Sequence, residues 1–152
     1  MLTPMERVHD PHLRVFMRTH ERERKRSYDL LSRMSDADLD VDVLTPLGRA
    51  SVCDVLMHML CFNERVLDAI ATSEFAEPRL CRTCENETVK DIVSWFEDAG
   101  EKMLSAFETY RGASVTHYIS IGKEKVTLVE LLEMMLAREA MLYGSLITTL
   151  KK

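Results

Sequence analysis

Glycine and proline are scarce in this chain of 152 residues: 5 Gly and 4 Pro leave little room for an extended, loop-rich architecture. No apolar run is long enough to span a bilayer, so a membrane-embedded protein is not expected. The first ten residues, MLTPMERVHD, lack the apolar core of a signal peptide, and cytoplasmic localisation is the expectation. An excess of positive charge is missing too. The net charge of −5 argues against nucleic acid and anionic membranes as partners, since both want a basic surface. Cysteine is limited to Cys53, Cys61, Cys81 and Cys84, which in a cytoplasmic chain are expected to be reduced thiols. Internal repeats and low-complexity segments are absent. The length suits a single domain, residues 1–152, with a real core and no second domain.

What is present is helical patterning. Residues 51–72 organise the chain: Val52, Val55, Leu56, Met59, Leu60, Val66, Leu67 and Ile70 recur at helical spacing. Ser51 followed three residues later by Asp54 is a capping-box signal for the start of that helix. An earlier helix has two start signals, Thr3-Pro4-Met5-Glu6 and the stronger Asp10-Pro11. Its stripe of Leu13, Phe16, Met17, Tyr28, Leu31 and Met34 is continued by His20, Arg24 and Ser27, and it ends before Ser35. A third helix opens at Thr88–Asp91, carries Ile92, Phe96, Ala99, Met103, Phe107 and Tyr110, and stops at Gly112; Gly100 within it marks a close helix approach. A fourth starts with the Thr127–Glu130 box and runs through Leu131, Met135, Leu142 and Leu146 almost to the C-terminus.

The connections are expected to be simple. Residues 35–50 read as a loop, with Leu39, Val41 and Leu44 tucked against the core and a turn at Thr45-Pro46-Leu47-Gly48. Residues 73–87 form a second loop, in which Cys81 and Cys84 make a CxxC without a second half, so two surface thiols are expected. His117–Ile121, with a turn at Gly122-Lys123-Glu124, predicts a short hairpin or extended excursion. The fold expected is therefore all-α, a four-helix bundle with that hairpin before the last helix. The basic run through Arg22, Lys25 and Arg26 is interleaved with Glu21 and Glu23, so a solvated, self-paired face is expected instead of a nucleic-acid groove.

The Val-Leu-Met-His-Met-Leu segment around His58, with Glu64 six residues on, resembles the DinB-like (damage-inducible) family of four-helix bundles. The segment Ala137-Arg138-Glu139-Ala140-Met141-Leu142-Tyr143-Gly144-Ser145-Leu146 extends the likeness, which covers roughly residues 12–150. The resemblance implies a divalent ion, commonly zinc or nickel, held by one His of the second helix and two of the fourth. It also implies membership alongside metal-dependent thiol transferases, isomerases and many proteins without known activity. This chain departs at the ligand positions. His58 matches the first, but Arg138 and Leu142 stand at the other two, and neither supplies a lone pair to a metal.

From this the expectation is a metal-free pocket between helices, without cofactor, lined by His58, Arg138, Glu139, Glu64 and His20 and taking a small-molecule ligand. Arg138 is expected to fill the vacated ion position and pair with Glu139, Glu64 or a ligand carboxylate, or else to lie on the rim with its head in water. The alternative is a Zn- or Ni-dependent transferase or hydrolase in which His20 or His117 substitutes as a ligand beside His58. Cys61, three residues after His58, shares its helix face, whereas Cys53 does not. No catalytic residue is assigned, because no Ser or Cys is tied by motif to a His and a carboxylate. Gly144 and Ser145 permit close packing, either within the chain or in a homodimer.

Overall fold

A computed structural model describes residues 5–80 and 84–151. Four long helices dominate: α1 (Pro11–Ser32), α2 (Val52–Thr72), α3 (Val89–Thr109) and α4 (Leu128–Leu150). Each starts where a side chain satisfies amides that the first turn leaves without partners. The Asp10 carboxylate accepts from the amides of His12 and Leu13 at 2.8 and 3.0 Å, with Pro11 in the first turn of α1. Thr88 and Asp91 form a reciprocal box on α3, and Thr127 accepts from the Glu130 amide at 3.2 Å on α4. Ser51 caps α2, but the Asp54 carboxylate does not close a box; it accepts from the Cys84 amide at 3.2 Å. The Thr3-Pro4 start signal lies outside the described residues, and Met5–Arg7 forms only a single 3-10 turn.

The fold is not purely all-α, because it carries two small antiparallel hairpins. Strand β1 (Asp42–Thr45) pairs with β2 (Gly48–Ser51), and β3 (Tyr118–Ile121) pairs with β4 (Glu124–Thr127). The second was expected; the first replaces part of the loop at 35–50. Its four-residue strands are too short to show a period, although the turn between them was legible and uses Gly48 at φ +124. Strand alternation also corrects the inward residues: Val43 is fully buried and Leu44 is 69% exposed. Each hairpin ends on the residue that caps the next helix, Ser51 for α2 and Thr127 for α4. The strands thus aim the two helices that carry His58 and Arg138.

Packing divides into two apolar clusters that also define helix direction. One holds Leu13, Phe16 and Met17 from the start of α1, Phe62 and Val66 from the end of α2, Met103 and Phe107 from the end of α3, and Leu131 and Met135 from the start of α4. The other holds Leu30 and Leu31, Val55 and Leu56, Ile92 and Phe96, and Leu142 and Leu146. So α1 and α4 run one way, and α2 and α3 the other. The principal contacts are α2 with α4 and α3, and α1 with α4 and α3. Parallel neighbours such as α2 and α3 need a connection that returns along the molecule, and residues 73–88 supply it. The wall of the site is built on that return.

Three glycines behave differently from expectation. Gly100 and Gly144 are exposed with nothing within 4 Å of an added Cβ, so neither marks a close approach inside the chain. Gly112 follows α3 without capping it. A Cβ there would meet the Tyr110 hydroxyl at 2.7 Å, so this glycine makes room for a ring. None of the helices is long and apolar enough to cross a membrane, among the described residues.

Candidate functional site

Between the two apolar clusters lies a layer of buried polar side chains. His20 and Arg24 come from α1 and Glu139 from α4, exposed by 4%, 6% and 3%. The spacing that put His20 and Arg24 on the inner stripe of α1 brings them to Glu139, 115 residues away from Arg24 in sequence. Arg24 Nη2 donates to Glu139 Oε1 at 2.9 Å. His20 Nε2 sits 3.2 Å from Arg24 Nε and 3.4 Å from Glu139 Oε2. The guanidinium also lies 4.3 Å from the centre of the Phe96 ring, an aromatic face that attracts a cation. Burial pushes the Glu139 carboxyl up, but the Arg24 charge and the His20 and Arg24 hydrogen bonds more than offset it, and the net shift is downward. This is an ion pair of the interior, not a ligand surface, and it leaves Arg24 Nη1 without a hydrogen-bond partner.

The second polar group faces outward. Arg138 Nη1 is 3.2 Å from His58 Nε2, its Nη2 pairs with Glu77, and its guanidinium lies 5.2 Å from the Phe62 ring centre. A guanidinium only donates, so Nε2 must be the accepting nitrogen and the His58 proton resides on Nδ1. Burial and then the Arg138 charge lower the His58 pKa and so favour the neutral ring, and a backbone hydrogen bond to Arg79 opposes them only in part. Arg138 thus ties α4 to α2 and to the 73–88 connection. Its partners are Glu77 and His58, not the expected Glu139 or Glu64.

His58 also forms part of the wall of a cavity of about 800 Å³ between α2, α3 and the segment 77–79. Met57, Leu60, Leu67, Trp95, Pro78 and Ala99 make its apolar surface. Three carboxylates (Glu64, Glu77, Asp98) and three cations (Arg65, Arg79, Lys102) surround them. Cys61 lines it as a free thiol, on the face it shares with His58. Asn63 lines it as well: it is fully buried, and neither atom of its amide has a hydrogen-bond partner. An unpaired buried amide costs about 1–3 kcal/mol, and at 0% exposure this one is not open to the cavity.

The structure therefore separates the residues expected to act together. His58 and Glu64 line the cavity; Arg138 stands behind it, bonded to two of its wall residues; His20 and Glu139 belong to the interior ion pair. Sequence reading missed Asn63, Glu77 and Arg24 as partners. An asparagine on the apolar stripe of α2 was the only available signal, and the other two pairings are too distant in the chain to be read. The ion site implied by the family likeness does not fit these residues. Its second position holds a cation, its third is Leu142, fully buried in the apolar core, and the His58 Nε2 lone pair is engaged by Arg138. Neither substitute histidine is free: His20 is bound as above, and His117 bonds Ser73 Oγ at 2.8 Å and the Tyr110 hydroxyl at 2.9 Å. No protein-family model, no curated protein and no solved structure matches this chain.

The cysteines differ most from expectation. Cys53 and Cys84 form a disulfide, so these two are not reduced thiols, and Cys84 is not a lone surface thiol. Their Cα atoms are 6.2 Å apart, within bridging range, because the Asp54 bond to the Cys84 amide brings the return segment onto the first turn of α2. Cys81 lies outside the described residues.

Proposed function

We propose that this chain is a DinB-like four-helix-bundle protein that binds a small molecule in the cleft between α2 and α3, with no ion at His58. The observation that carries the reading is a cavity of about 800 Å³ with an apolar body and a rim of three carboxylates and three cations. That volume lies in the range of ligand pockets, and an apolar body with a few convergent polar groups is their usual composition. Balanced charge around the rim favours a neutral or zwitterionic molecule over a polyanion. Trp95 and Leu60 offer surface to its apolar part, while Glu64, Asp98 and Lys102 offer charged groups to its polar part.

The transferase alternative draws less support, because each candidate replacement ligand already has other partners. A second copy packing over the open Gly144–Ser145 face is compatible with ligand binding and is read directly by sedimentation. The ligand test is a small-molecule screen followed by amide and indole NMR shifts on the untagged chain. Hits are expected to shift His58, Cys61 and the Trp95 indole, and Trp95→Ala is expected to weaken them about tenfold, a loss near 1.4 kcal/mol. Hits that bind elsewhere and ignore Trp95→Ala refute the proposal. So does stoichiometric zinc or nickel that is lost on His58→Ala.

A further inference from the structure

We propose that the Cys53–Cys84 corner, once its disulfide is reduced, is a thiolate site for a zinc-like divalent ion, with Glu87 as its third donor. The two sulfurs and a Glu87 carboxylate oxygen all lie within 4.8 Å of one another, the only such trio of potential metal ligands among the described residues. Cys84 supplies one thiol, and the fold brings a second, Cys53, from 31 positions away. A separate small cavity of about 150 Å³ lies against both cysteines and is lined by Asp40, Ser51, Glu85 and Glu87. It has room for an ion with a water, and its polar walls suit one.

Two features prepare the corner to hold a cation. The Glu87 carboxylate accepts from the Glu85 amide at 2.6 Å, which orients it as an outer-shell bond orients a metal ligand. The return segment is anchored independently of the disulfide, through the Cys84 amide to Asp54 at 3.2 Å and the Val89 amide to Asp36 at 2.9 Å. Opening the disulfide therefore leaves the two cysteines side by side, with their sulfurs free to move apart to non-bonded distance. Two thiolates and a carboxylate select zinc over magnesium or calcium, and three protein donors leave a fourth position for water.

The chemistry balances. A dithiol reductant supplies two electrons and two protons, the S–S bond breaks, and the reductant becomes its own disulfide. The ion then displaces the two thiol protons to solvent. Disulfide and ion exclude each other, so the corner holds the ion only while it is reduced.

The test uses the full, untagged chain, reduced with dithiothreitol, desalted without oxygen and titrated with Co²⁺. One equivalent is expected to give sulfur-to-cobalt charge-transfer absorption, which Zn²⁺ then bleaches. The oxidised chain is expected to show none. Cys53→Ser with Cys84→Ser is expected to abolish the band, Glu87→Gln to weaken binding about tenfold, and Cys61→Ser to leave it unchanged. The wild-type chain gives a second readout that needs no substitution: Zn²⁺ protects Cys53 and Cys84, but not Cys61, from alkylation mapped by mass spectrometry. Absence of the band, its persistence in the double serine variant, its loss with Cys61→Ser or His58→Ala, an unchanged affinity with Glu87→Gln, or alkylation of Cys53 and Cys84 as fast as that of Cys61 overturns the proposal.

Discussion

Replacing Glu139 by leucine leaves the Arg24 guanidinium buried beside His20 with no carboxylate to neutralise it. Arg24 is 6% exposed and anchored within α1, so it cannot swing to water without unpacking the stripe that holds Phe16 and Leu30. Removing one partner of a buried pair costs about 3–5 kcal/mol, a large share of the roughly 5–15 kcal/mol that holds a domain of this kind together. Removing both partners is different. Arg24→Met with Glu139→Leu fills the layer with apolar volume, joins the two clusters, and is expected to be near neutral or stabilising by about 1–4 kcal/mol. Urea unfolding followed by circular dichroism, with both single variants and the double, gives the coupling directly. The sign with pH is also set. The Glu139 carboxyl is held below its ordinary range, so its contribution is present above the unfolded-state value and is lost as pH falls through the folded one. A single variant costing under about 1 kcal/mol, or a double variant as unstable as the two singles summed, would refute an interior ion pair.

The His58 pKa is lowered by burial and Arg138, so the unfolded chain takes up its proton first and stability declines as pH falls from about 7 through the folded value; His58→Gln should flatten that slope in urea midpoints, and an unchanged slope would sink the assignment. Reducing the Cys53–Cys84 bridge, whose ends are 31 residues apart, should cost about 3–4 kcal/mol in the loop-entropy account, seen as a lower thermal midpoint in reductant that Cys53→Ser with Cys84→Ser reproduces. Gly112→Ala should cost about 1–3 kcal/mol, because the Tyr110 hydroxyl it would strike is held by His117; no change in stability would show that this ring yields freely.

Local chemistry alone settled where the helices begin and which faces they bury. Asp10-Pro11, Thr88–Asp91 and Thr127–Glu130 act within a few residues, and the stripe through His20, Arg24 and Ser27 follows from helical period. It also showed that Arg138 and Leu142 cannot serve as ion ligands, since that depends only on side-chain chemistry. Which groups meet is a different kind of information. Arg24 finding Glu139 depends on α1 packing against α4, while Arg138 finding Glu77 and Cys53 finding Cys84 depend on the return segment between α2 and α3. A pairing between residues far apart in the chain leaves no periodic trace in either segment. Its energy exists only once packing has brought the two groups together out of water, and so the tertiary structure alone decides it.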